Sequence, residues 1–537
     1  MYSGYVSRVL LVFGLLQLVD AFAPRKTPHV VTKLGEIHGR RLIDCADGEV
    51  DGFYAIPYAK APVGELRFKK PTAPEPWSKP LIATNFGPQC MQRAVLKGGA
   101  SLQSRMFGGA NKSTESEDCL LLNVFAPAWG SDKAFPVMLW IHGGGSNYGS
   151  SVEYGDIGIA RNLVTKGVVV VTINYRLGPW DWITVFGQSA GASSADLLSL
   201  SPHSRDLFHQ AILMAGSASA SWALVDSKFH SKALATQLKC PTNSSEAMIE
   251  CLRAVSNEKI HEAVLAVGPG APDLTLVKFS PVIDGEFLPF DVGRLRKEAP
   301  RKRVIAGAAE REGGFMTIKF GPEDSKYHSG PNFSVADFKN FLAELLPESS
   351  YQNFELLRTL AAHEYLRNGD PGNYTLLVEE HMKALGDHVL NVPLYKDVQS
   401  MVDSDWTVYL YSFDHSNPTA SVENDPIKKA YHIMEIPYLF EVFPLGSFKF
   451  NRQDERVLRI FTRRLTNFAK YGDPNGRKNT MWKAVTKNNK DHYLSISAHP
   501  TFQPGFHRSA ANFWMTLVPD IERLARYHIK QSSRWDK

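Results

Sequence analysis

Four short runs of the chain are apolar without alternation: Val137-Met138-Leu139-Trp140-Ile141, Val168-Val169-Val170-Val171-Thr172-Ile173, Ile183-Thr184-Val185-Phe186 and Val408-Tyr409-Leu410-Tyr411. A strand with one face in water alternates apolar and polar residues. One that does not alternate has both faces covered, as in a parallel sheet packed between helices. Helical patterns fall between and after these runs. The clearest covers about Gln453 to Tyr471, where Val457, Phe461, Leu465 and Phe468 recur at helical spacing, Gly472 stops the helix and Pro474 follows. The expected class is therefore α/β, with a large, mostly parallel sheet covered by helices. The stretch from about 315 to 400 is more helical and polar, and reads as a helical cap over the sheet. No internal repeat or linker divides residues 22–537, which read as one domain. With 44% hydrophobic and 21% charged residues, disordered, collagenous and coiled-coil classes are excluded.

The formal net charge of +5 is small and spread along the chain, with no long basic run, so nucleic acid is not an expected partner. Arg8, then the apolar run Val9 to Leu16, then Ala21 and Ala23, read as a secretory signal peptide over residues 1–21, too short to span a membrane. No other stretch approaches 18 apolar residues, and the tail Ser533 to Lys537 is polar. The expectation is a secreted or secretory-lumen protein without a membrane span. Four sequons, at Asn111, Asn243, Asn332 and Asn373, suit glycosylation in that compartment. There are five cysteines, too few and too scattered for a disulfide mini-protein or a zinc module.

Two motifs carry chemistry. Gly187-Gln188-Ser189-Ala190-Gly191 follows the run ending at Phe186 and precedes a small-residue helix start. The pentapeptide arises by chance roughly 0.2 times in a chain this rich in glycine, so its weight comes from that strand–turn–helix context. The turn lifts the Ser189 hydroxyl above the sheet edge, where the helix N-terminus offers N–H groups to a developing anion. His142-Gly143-Gly144-Gly145 directly follows the run ending at Ile141. Its glycines let the backbone approach a substrate and aim N–H groups at a carbonyl oxygen. A nucleophile and an oxyanion hole are the minimum for acyl transfer. The serine then needs a base, and the base an orienting carboxylate, in chain order serine, acid, histidine. Asp284 and Glu312 both satisfy that order. Glu312 lies just past Val304-Ile305-Ala306, where a strand would deliver it to the sheet edge; Asp284 reads equally well as a turn residue. Composition does not select one base among 17 histidines, and His432 reads equally well as a satisfied polar residue.

The chain resembles the type B carboxylesterase/cholinesterase family of α/β-hydrolases over nearly its whole length. The resemblance is carried by Ile56-Pro57-Tyr58-Ala59, by Pro62 to Phe68, by Glu117 to Val124 and by the two motifs above. Further on it is carried by Glu310-Arg311-Glu312-Gly313, by His432 to Tyr438 and by Phe468 to Asn475. It implies Ser189 as nucleophile, Glu312 as acid and His432 as base. It also implies backbone donors at Gly144, Gly145 and Ala190, and the disulfides Cys90–Cys119 and Cys240–Cys251, with Cys45 left over. A small-molecule carboxylic ester is the implied substrate, and no cofactor or metal is required. The expected activity is that of a secreted serine carboxylesterase acting through an acyl-enzyme on Ser189. An acyltransferase using the same intermediate is the enzyme alternative.

The chain also departs from the family. Relatives usually carry some 40 further residues between Pro179 and Trp180, including a helical crossover. About five residues separate a strand ending near Leu177 from the one at Ile183, whereas parallel neighbours need about a dozen or more. The readings of that gap are a loss in the gene model or splicing, a rearranged but active enzyme, or a catalytically impaired, adhesion-type relative. Ser146 replaces an aromatic residue after the three glycines. Met214-Ala215-Gly216 stands where the family often has Ser-Gly, removing a polar partner near the acid. Gly109 stands where the acetylcholinesterase subgroup has a tryptophan, which favours a general carboxylesterase.

Overall fold

The computed structural model describes residues 27–45, 48–92, 114–129, 131, 133–146, 149–175, 183–225, 227–267, 279–317, 329–330, 332–367, 369–370, 372–417, 419, 427–443, 449–476 and 480–525. The expected signal peptide, Asn111 and Gly109 lie outside these residues.

The centre of the molecule is an eleven-stranded sheet. Its strands are β1 (Arg40–Cys45), β2 (Gly48–Pro57), β3 (Leu121–Pro127), β4 (Val137–Ile141), β5 (Val169–Ile173), β6 (Ile183–Gln188), β7 (Gln210–Met214), β8 (Arg303–Ala309), β9 (Thr407–Phe413), β10 (Tyr493–Ile496) and β11 (Thr501–Gln503). Their spatial order is β11-β10-β9-β8-β7-β6-β4-β5-β3-β2-β1. The strands from β10 to β5 are mutually parallel, while β11 and the β3-β2-β1 side pair antiparallel. The apolar runs occupy the parallel part, as the missing alternation requires. All five residues of β7 are buried, and so are six of seven in both β8 and β9.

Successive residues of these strands enter two different cores, as the pleat demands. Trp140, Phe186, Ile212 and Tyr411 pack on one face with Phe461 and Leu465. Ile141, Val185, Leu213 and Leu410 pack on the other with Leu197, Leu394 and Val398. Helix α1 (Ala190–Leu200) follows β6 directly. The cap region holds α2 (Val335–Leu345), α3 (Phe354–Leu366), α4 (Tyr374–Gly386) and α5 (Val392–Asp403). Phe338, Leu342, Leu357 and Leu377 of this region form a core that reaches Ala190 at the start of α1. The long amphipathic helix α6 runs Arg452–Tyr471. A reciprocal Asn451–Asp454 cap opens it and Gly472, at φ 65°, closes it. No helix among the described residues is long and apolar enough to cross a membrane.

Strand β5 ends at Ile173, not near Leu177. Just past it, Asn174 N still donates to the Leu121 carbonyl, and its side-chain Oδ1 accepts from Ser151 N and Oγ while Nδ2 donates to the Pro88 carbonyl. The β5–β6 connection is therefore nine residues, 174–182, rather than about five. By strand spacing and rise, the strand ends it joins, two places apart in the sheet and at opposite levels of it, are separated by about 17 Å, within the reach of ten extended peptide units.

Two disulfides are present, Cys90–Cys119 and Cys240–Cys251. Asn243, Asn332 and Asn373 are exposed.

Candidate active site

Ser189 sits between β6 and α1 at φ 57°, ψ −125°, a conformation that a non-glycine residue adopts only where its surroundings impose it. Three glycines impose it here. A Cβ on Gly191 would lie 2.0 Å from the Ile141 carbonyl oxygen, one on Gly187 would lie 2.5 Å from Gly191, and one on Gly216 would lie 2.3 Å from the Ser189 carbonyl oxygen. The elbow is thus wedged between the ends of β4 and β7, and Ser189 N donates to the Met214 carbonyl. The first α1 hydrogen bond runs from Ser193 N to Ser189 O, which leaves the Ala190 N–H outside the helix ladder.

The loop after β4 lies against this elbow. A Cβ on Gly143 would come within 2.9 Å of the Gln188 carbonyl oxygen and 3.2 Å of Ser189 Cβ. Gly144 and Gly145 follow at φ 115° and 55°, the left-handed region that glycine enters without strain. His142 is buried, and its Nδ1 lies 2.8 Å from the Gly143 carbonyl oxygen. Burial drives its pKa down to about 4, against the raising effect of that hydrogen bond, so the ring is neutral at physiological pH.

Glu312 lies three residues past β8 and is fully buried. One carboxylate oxygen accepts from Ala309 N, and the other lies 2.6 Å from His432 Nδ1. The loops carrying the two residues are also joined by backbone, Arg311 N to the Ala430 carbonyl. Gly313 packs the acid turn onto α4, since a Cβ there would lie 2.0 Å from the Met382 carbonyl oxygen. With Nδ1 engaged by Glu312, the other imidazole nitrogen, Nε2, faces the end of β6: the Gln188 side-chain nitrogen is 3.3 Å away. Ser189, the Gly143–Gly145 loop, Glu312 and His432 thus all sit beyond the carboxyl ends of parallel strands, where open α/β sheets bind ligands.

The other acid candidate is elsewhere in role. Asp284 is exposed and its Oδ1 accepts from Glu286 N and Leu288 N, which makes it a turn residue. A further carboxylate was missed by sequence reasoning. Glu435 is 1% exposed, and among the described residues no other residue gives its carboxylate oxygens a hydrogen bond. Burial, then the negative charge of nearby Glu312, pushes its pKa up to about 8, so it carries its proton at neutral pH. Its position inside the histidine motif was visible; its burial was not, because its neighbours Glu312, Tyr411 and Tyr154 come from distant parts of the chain.

Comparison with known proteins bears on this geometry. The profile described as "Carboxylesterase family" matches residues 26–183 and 181–514. The match divides at the entry to β6, where the crossover is short. The protein described as "Esterase cest-33" from Caenorhabditis elegans is 32% identical over 501 aligned positions, covering 83% of this chain and 86% of its own length. "Gut esterase 1" of Caenorhabditis briggsae is 30% identical, with 91% and 92% covered. "Fatty acyl-CoA hydrolase precursor, medium chain" of Anas platyrhynchos is 28% identical, with 96% of each covered.

Proposed function

The chain belongs to the carboxylesterase family and is thereby a carboxylic ester hydrolase; from that premise we propose that it works through an acyl-enzyme on Ser189. The Ser189 hydroxyl attacks the ester carbonyl while His432 Nε2 takes its proton. Glu312 holds Nδ1–H, which keeps the Nε2 lone pair available and stabilises the imidazolium as it forms. The N–H groups of Gly144, Gly145 and Ala190 receive the oxyanion; losing one such donor typically raises the barrier by about 3–4 kcal/mol. Collapse expels the alcohol, which takes the proton back from His432. Water then repeats the sequence on the acyl-enzyme and releases the acid. The observation that supports this reading best is the 2.6 Å Glu312–His432 pair buried beside a serine whose backbone is held at φ 57°. We also read residues 1–21 as a signal peptide and Asn111, Asn243, Asn332 and Asn373 as glycan sites of a secreted protein.

Pre-steady-state hydrolysis of a short-chain aryl ester tests the mechanism. A burst of phenol equal to the enzyme concentration is expected, and Ser189→Ala should abolish it and cut turnover by at least about 10⁴-fold. Undiminished turnover in the variant would contradict the assignment. Adding a competing alcohol and analysing products separates hydrolysis from acyl transfer.

The nine-residue β5–β6 connection favours a second reading, that this chain is catalytically impaired relative to its family. Lengthening the connection with a helical crossover from a relative would then raise secretion and turnover. Equal yield and equal rate would remove that reading.

A further inference from the structure

Something must hold the loop after β4 from behind, because three consecutive glycines, Gly143 to Gly145, give it no side chains with which to anchor itself. Among the described residues Tyr154 bonds the Gly143 backbone, and Gln92, from a distant part of the chain, braces the neighbouring Gly149. Gln92 is 5% exposed, and its amide engages both backbone groups of Gly149: Gly149 N donates to Gln92 Oε1 at 2.6 Å, and Gln92 Nε2 donates to the Gly149 carbonyl at 3.0 Å. The second Nε2 hydrogen is directed to the Cys90 carbonyl at 3.2 Å. Gln92 stands two residues beyond Cys90, whose bridge to Cys119 ties this segment to the start of β3.

Gly149 in turn lies directly against the oxyanion loop. It sits at φ 108°, and a Cβ there would lie 2.6 Å from His142 Nδ1 and 2.7 Å from the Gly143 carbonyl oxygen, the two atoms that bond each other. The His142 carbonyl is held from another side by the Tyr175 hydroxyl at 3.0 Å. An uninterrupted set of contacts therefore runs from the disulfide through Gln92, Gly149 and the His142–Gly143 pair to Ser189 Cβ.

We infer that Gln92 is a positioning residue for oxyanion stabilisation: its paired hydrogen bonds to Gly149 hold the Gly143–Gly145 loop at the distance from Ser189 that a tetrahedral oxyanion requires. The inference rests on the reading of Gly144 and Gly145 as oxyanion donors. Because the oxyanion exists only in the transition state and the tetrahedral intermediates, a displaced loop is expected to cost kcat more than ground-state binding. A glutamine suits the role since one planar amide supplies both an acceptor for the N–H and a donor for the C=O of the same residue, Gly149.

The test is Gln92→Met, which keeps the length of the side chain and removes both bonds to Gly149 and the one to Cys90, read against paired inhibitors. An aryl trifluoromethyl ketone adds the Ser189 oxygen to its carbonyl carbon; the carbonyl π pair becomes the oxyanion and the serine proton passes to His432. The matching methyl ketone binds without forming that adduct. In folded Gln92→Met, kcat should fall about 10- to 100-fold with KM within about threefold of the parent. Trifluoromethyl ketone affinity should fall in proportion and methyl ketone affinity should be unchanged. Gln92→Glu keeps the acceptor for Gly149 N but sets oxygen against oxygen at the Gly149 carbonyl. Its trifluoromethyl ketone affinity, relative to the parent at the same pH, should recover as the pH falls and the carboxyl regains a proton to donate. A purely structural role would lower thermal stability and leave the ratio of the two ketone affinities unmoved, and that result overturns the inference, as does a pH-independent deficit in Gln92→Glu. If Gln92→Met does not fold, the Gln92→Glu pH series alone decides. Ser189→Ala separates the two levels: an inactive Ser189→Ala beside a normal Gln92→Met overturns the Gln92 role only, whereas an active Ser189→Ala overturns both.

Discussion

The two halves of the proposed site are built by different means. The Ser189 half is made of backbone pressed on backbone: Gly191 against the Ile141 carbonyl, Gly216 against Ser189, Gly143 against Gln188. The Glu312–His432 half is made of side chains meeting across 120 residues, in loops after β8 and β9. Close backbone approach demands glycine at fixed offsets, so the first half leaves a local signature. A buried hydrogen bond between distant loops demands only one acid and one imidazole, so spacing alone does not mark the second, and only the resemblance at Glu310–Gly313 and His432–Tyr438 points to it.

The largest expected effect breaks the backbone half. Gly191→Ala places a methyl where the Ile141 carbonyl oxygen lies, 2.0 Å from the new Cβ, and both are main chain or rigidly attached to it. We expect little or no folded protein by thermal melt and secretion yield; a folded, active variant would mean the elbow is looser than described. In the side-chain half, Glu312→Gln preserves shape while removing the charge that orients His432. It should lower kcat by roughly 10³- to 10⁴-fold with the protein still folded by circular dichroism. A drop of less than tenfold would detach the acid from catalysis.

Glu435 sharpens the contrast, since it adds a buried titratable group only to the second half. Its folded pKa of about 8 lies above the ordinary 4.5. The folded state therefore retains a proton that the unfolded state has lost between those values, and the group's contribution to stability, complete below about pH 4.5, is lost as the pH rises through 8. Glu435→Gln should remove this slope, so its urea midpoint should gain on the parent between pH 5 and pH 8.5; parallel midpoints would place the proton elsewhere. The smallest effect belongs to the acid outside both halves. Asp284→Asn keeps an oxygen for Glu286 N and Leu288 N and should leave kcat within about twofold.

The same division governs what was legible in the sequence. The apolar runs located β4 residue for residue and most of β5, β6 and β9, because burial on both faces suppresses alternation. Helix α6 was equally plain, with four core residues at helical spacing and Gly472 at its end. The antiparallel edge β1–β3 was not identified. In β2, Gly52 and a register irregularity between Phe53 and Ile56 blur the period-two pattern, and several residues of β3 are only half-buried. The end of β5 lies at Ile173 rather than near Leu177, since the partners that fix Asn174, Ser151 and Pro88, come from distant segments that no local pattern marks. Chain order left Asp284 and Glu312 level. The resemblance at Glu310–Gly313 points to Glu312, and the structure brings Glu312, three residues past β8, to 2.6 Å from His432 while Asp284 caps an exposed turn.

Fluorophosphonate labelling of the purified protein, followed by proteolysis and mass spectrometry of the adduct, tests the central claim most directly. One phosphonyl group on the peptide containing Ser189, absent from Ser189→Ala and strongly slowed in His432→Ala, is the expected result. A label on a different residue, or equal labelling of Ser189→Ala, would contradict the account.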